Sequence, residues 1–167
     1  MNLEKTYRLI GSIVMPFTFL LAIMMLPSMM AGFGNPSMLF ELFVFVCTVI
    51  YVVKSIGFFR KNILRDQPAK PSTKHMIYIN GAFALLFFVQ ISIVFLVVYL
   101  MPDIFKDVLK TLASQVSAEM KQSFSVEQLY STLKVFVTVL FIYSLLLAVH
   151  VIMSYVLVKK YRNLFES

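Results

Sequence analysis

Residues 76–101 read MIYINGAFALLFFVQISIVFLVVYLM, a run without a single charged side chain. A hydrocarbon core about 30 Å thick is crossed by about 20 helical residues, and this run is longer than that. An unpaired backbone amide in lipid costs several kcal/mol, so only a helix, which pairs its own amides, suits an isolated run of this kind. Long apolar runs with one or two charges each also cover 7–30, 37–59 and 133–158. The composition agrees, with 60 % of residues hydrophobic and 14 % charged. A soluble globule of this size cannot bury so much apolar surface. The fold class is therefore all-α, an integral membrane four-helix bundle, with 1–167 as a single membrane domain.

Working outward from the third helix, the preceding connection, 60–75, carries Arg60, Lys61, Arg65, Lys70 and Lys74 against one acid, Asp66. Pro68 and Pro71 predict an extended, hydrated loop there. Between the first two helices, Ala31-Gly32-Phe33-Gly34-Asn35-Pro36 predicts a tight turn and an antiparallel hairpin. The first apolar run is longer than a signal-peptide core and exits without a small-x-small cleavage site, so an uncleaved helix is expected. Lysine and arginine gather on the cytoplasmic side of membrane proteins. Placing both termini and the 60–75 loop inside collects eleven basic residues there and leaves Lys106, Lys110, Lys121 and Lys134 outside. The tail 159–167 is then cytoplasmic. The net charge of +7 belongs to topology, and nucleic acid is not an expected partner.

The segment after the third helix, 102–125, is amphipathic. Ile104, Phe105, Val108, Leu109, Leu112, Val116 and Met120 recur at helical spacing, and Pro102 and Asp103 suit a helix start. An outer amphipathic helix is thus expected between helices three and four, with Phe105, Leu109, Leu112, Val116 and Met120 as its apolar face. It would lie on lipid, close over the bundle, or meet a partner's helix. Ser125 followed by Val126-Glu127-Gln128 has the capping-box pattern, which starts the fourth helix at 126, ahead of its apolar run, and carries it to 158.

Polar side chains inside such helices are costly, and each is a candidate site. On the second helix Glu41, Thr48, Tyr51 and Ser55 share a face, with Lys54 beside it. On the fourth, Tyr143, His150 and Ser154 share another, and Gln90 sits mid-way along the third. The helical rise puts His150 and Lys54 at similar depth. A proton or ion pathway through Glu41, Tyr51 and His150 is one reading of this seam. Interhelical hydrogen bonding that simply holds the bundle is the other.

Other chemistry finds little support. Cys47 is the only cysteine, so neither a disulfide within the chain nor a cysteine metal cluster forms. The methionines at the far end of the first hairpin, Met24, Met25, Met29, Met30 and Met38, are soft potential Cu(I) ligands, but they are also ordinary apolar residues. Only His75 and His150 are available to a haem, at different depths. No catalytic or phosphate-cradling motif occurs. The expectation is a non-enzyme without metal or cofactor.

The basic loop after helix two, the exit Tyr99-Leu100-Met101-Pro102-Asp103 and the entry Phe124-Ser125-Val126-Glu127-Gln128-Leu129 resemble small bacterial four-helix membrane proteins classified only as a domain of unknown function. The outer loop here is less acidic than in that pattern. The resemblance implies a bacterial inner membrane and assigns no functional residues. The expected function is an accessory or scaffold subunit acting through helix contacts and the outer helix. Its partners are the bilayer and either another membrane protein or further copies of itself. The alternative is a small transporter or channel subunit using Glu41, Gln90 and His150.

Overall fold

The computed structural model describes residues 3–31, 36–120 and 125–165, and the side chains of these except at 26–31, 37 and 112–120. Every regular element among them is helical: α1 (Leu3–Ala31), α2 (Pro36–Phe58), a π turn (Phe59–Ile63), α3 (Pro71–Leu100), α4 (Pro102–Met120), α5 (Val126–Lys160) and a 3-10 turn (Arg162–Phe165). Four of the helices are long and apolar enough to cross a membrane, and the chain is a multi-pass membrane protein. α2 is the most enclosed, with 56 % of its span buried inside the chain against 11 % for α3.

Helix ends depart from the apolar runs because hydropathy reports lipid, whereas backbone hydrogen bonding continues into water. α1 begins at Leu3, ahead of the apolar run, and takes Glu4 and Lys5 into its first turn. α5 begins at Val126, just after Ser125, and carries Lys159 and Lys160 in its last turn, where they offset the negative end of the helix dipole. The 60–75 connection is shorter than its two prolines suggest. The π turn occupies its start, and α3 begins at Pro71, whose missing N–H costs nothing in a first turn. Asn62 fastens what remains, donating to the carbonyls of Gln67 at 3.0 Å and Pro68 at 2.9 Å. Asp66 takes the left-handed conformation (φ 49°) that turns the chain there.

The helices divide into two compact units. The first comprises residues 1–88 and 145–167. Its core includes Tyr7, Phe59, Met153 and Leu157, with Leu3, Ile10, Ile63 and Tyr161 packed around them. The chain ends meet here. Glu4 accepts from Lys160 at 2.9 Å and from the Tyr161 hydroxyl, and that bond to the carboxylate holds the Tyr161 phenol above its usual pKa. Ala69 donates to the Leu164 carbonyl at 2.7 Å, and Phe165 stacks on Phe58 at 5.1 Å. The turn at residues 162–165 is therefore packed, with Leu164 and Phe165 buried. Gly81 of α3 faces Tyr155 of α5, and a Cβ there would stand 2.6 Å from the Tyr155 hydroxyl.

The second unit, residues 89–144, contains the end of α3, α4 and the start of α5. Phe95 stacks on Phe141 at 4.2 Å and on Tyr99 at 4.5 Å. Lys134 lies over the Tyr99 ring at 4.6 Å, and Lys106 pairs with Glu127 at 3.0 Å. α3 passes to α4 through Met101 alone, whose N–H bonds Val97 and whose carbonyl accepts from Phe105.

Candidate functional site

The most concentrated polar chemistry lies inside the first unit. α1 supplies Tyr7, α2 supplies Tyr51 and α5 supplies His150 and Ser154, all of them buried. Tyr51 and Ser55 share a face of α2, as His150 and Ser154 share one of α5, because residues four apart stack. The Tyr51 hydroxyl lies 2.8 Å from His150 Nδ1 and 2.6 Å from Ser154 Oγ. The Tyr7 hydroxyl lies 3.1 Å from the same Ser154 oxygen. The Tyr7 ring stacks on the imidazole at 4.4 Å, and Tyr51 meets it edge-on at 5.8 Å.

Ser154 Oγ also donates to the His150 carbonyl at 2.9 Å, and Ser55 of α2 is a further hydrogen-bond partner of both tyrosines. Nε2 is buried and has no hydrogen-bond partner. Gly11 of α1 stands beside it, where a Cβ would come within 3.4 Å. The cluster is thus a buried hydrogen-bond junction between three helices, with one ring nitrogen left without a partner.

Of the seam residues named from the sequence, the fold joins Tyr51 and His150 directly. Thr48 is buried and donates to the Val44 carbonyl of its own helix at 2.9 Å. Lys54 and Glu41 are exposed. Ten residues separate Glu41 from Tyr51, about 15 Å along α2. Tyr143 is buried in the second unit. Sequence reasoning overlooked Tyr7, since a tyrosine at the head of a membrane helix reads as an ordinary interfacial residue. Its helical spacing from Gly11 was the available signal. Among the described residues no group of three or more histidines, cysteines or acids is placed to hold a metal ion.

Gln90 also belongs to the second unit. Its carboxamide is half-buried and makes no hydrogen bond among the described residues. Around it Val89, Ile93, Val94 and Leu96 are exposed. Of the expected amphipathic face on α4, Leu109 is buried, and Phe105 is half-buried with its ring 6.2 Å from that of Tyr130. Ile104 and Val108 are exposed. Leu112, Val116 and Met120 lie outside the residues whose side chains are described.

No family model, curated protein or solved structure matches this chain.

Proposed function

We propose that the chain is a non-enzymatic accessory or scaffold subunit of a bacterial cytoplasmic membrane, and that it works by pairing α3 with another membrane helix. Gln90 carries this reading. A carboxamide mid-way along an apolar helix gains from an interhelical hydrogen bond, worth about 1 kcal/mol in lipid. It finds none among the described residues of its own chain, and the side chains beside it are exposed. A carboxamide both donates and accepts, so two copies of Gln90 satisfy each other across a two-fold axis. A second copy is therefore the first partner to test.

Both termini are assigned to the cytoplasm. The excess of basic residues supports this, and so do the contacts of Glu4 with Lys160 and Tyr161, which join the start of α1 to the end of α5. The resemblance to small bacterial four-helix proteins supports the choice of membrane. The first half of α4, through Phe105 and Leu109, covers the start of α5, which favours a lid over a leaflet-bound helix. A transport pathway through Glu41, Gln90 and His150 has less support, because about 15 Å of α2 separates Glu41 from the Tyr51–His150 bond.

The test is co-purification of two differently tagged copies from mild detergent, with and without Gln90→Leu. Recovery of both tags from the parent chain and their separation in the variant is the expected result. A monomeric parent chain that also retains no stoichiometric membrane partner would sink the scaffold reading.

A further inference from the structure

Arg60 and Arg65 are five residues apart. On an α-helix they would stand about 140° from one another, on different faces. The chain between them is a π turn, in which Leu64 N–H bonds the Phe59 carbonyl at 3.0 Å. That wider winding brings residues five apart nearer to one face than an α-helix does. Phe59, Arg60, Leu64 and Arg65 all line a cavity of about 480 Å³. Across it α1 contributes Arg8 and Ser12, and Ile56 of α2 adds an apolar patch.

Three arginines therefore line one open cavity, and no carboxylate among the described residues pairs with any of them. Like charges gathered in this way repel, and an anion relieves the repulsion. The guanidinium fork matches phosphate oxygens in two-point geometry. Asn62 and the Ala69–Leu164 bond hold the residues after the π turn in place, so this side of the cavity is built before any ligand arrives. The cavity opens between two membrane helices. One residue beyond Arg8 and Ser12, Leu9 and Ile13 are exposed on α1, where an acyl chain would lie.

We propose that this cavity binds the phosphate of an anionic membrane phospholipid, with Arg8, Arg60 and Arg65 around the phosphate and the tails along α1. Basic pockets between membrane helices suit such headgroups. The assignment is independent of any pairing through α3, since the cavity lies wholly within the first unit.

The test compares phosphatidylglycerol with phosphatidylcholine as the added lipid, read as lipid retained by the intact protein and as the shift of its melting transition in detergent. The variant Arg60→Gln/Arg65→Gln keeps Lys5, Arg8, Lys61, Lys70 and Lys74 to hold topology. It should bind phosphatidylglycerol about tenfold more weakly, as loss of charge-assisted bonds implies. The control Lys70→Gln/Lys74→Gln removes the same charge outside the cavity and should change binding less than about twofold. Equal losses in the two variants would mean general surface attraction and overturn the site, as would a parent chain without preference for the anionic lipid. Inorganic phosphate is the second arm. Stabilisation by phosphate alone, equal to that by the lipid, would assign the cavity to a free anion and overturn the lipid reading.

Discussion

Around His150 the helices meet through hydroxyls, with Tyr7, Tyr51 and Ser154 linked at 2.6 to 3.1 Å. Around Phe95 they meet through rings, with Phe141 and Tyr99 stacked at 4.2 and 4.5 Å. In water both would be driven together by apolar burial. In lipid that drive is absent between helices, and each region must hold by its own contacts. A hydroxyl network fixes rotation and register, because its bonds fail when a donor turns away. A ring stack tolerates sliding, and its specific geometry adds only about 0.5–1.5 kcal/mol. The first region should therefore be the more specific and the less tolerant of change, and the second the more forgiving.

The hardest blow to that contrast is Gly81→Leu in the first unit. A Cβ there already collides with the Tyr155 hydroxyl, which donates to the Tyr78 carbonyl at 2.9 Å. Overpacking at such a contact costs about 1–3 kcal/mol or more, and thermal unfolding in detergent should show the largest loss of any single variant here. Tyr51→Phe comes next. It strips the buried His150 Nδ1 of its Tyr51 partner, and leaving a buried polar group unpaired costs about 1–3 kcal/mol. Unfolding titrated with denaturing detergent would measure it, and a loss under half of that would make the cluster incidental. In the second unit, Phe95→Leu keeps the bulk and removes the stacking, for about 1 kcal/mol. If it matched Tyr51→Phe, the distinction between the regions would fail. Lys134→Gln removes the cation over Tyr99 and should cost about 0.5–1 kcal/mol at this partly exposed site, the smallest effect, read by the same titration.

The membrane helices were legible because lipid imposes a plain rule on composition, and the run 76–101 obeys it without exception. The start of α5 at Val126 was legible from the local sequence pattern of residues 125–128. The π turn was not. Nothing in Phe59-Arg60-Lys61-Asn62-Ile63 distinguishes it from an α-helical end, and the residues after it are held locally by Asn62 and from afar by Leu164. The polar cluster was half legible. Helical spacing put Tyr51 and Ser55 on one face and His150 and Ser154 on another, but a depth estimate matched His150 to Lys54. The fold turns Lys54 outward and gives His150 to Tyr51, one turn earlier on α2. Depth alone carries no rotation about the helix axis. The arginine cavity escaped the sequence altogether, since it depends on the π turn.

The bond between Tyr51 and His150 also has a history within each molecule. Its two ends are 99 residues apart in the chain. A ribosome adding about 5–20 residues per second needs roughly 5–20 s to synthesise that interval. During that time the first hairpin is already made, and the hydroxyls of Tyr7 and Tyr51 have Ser55 of α2 beside them but not yet Ser154 or His150. The cluster is in this sense the last latch to close. A nascent chain halted before His150 lacks the α5 half of every bond in the cluster that ties α1 and α2 to α5.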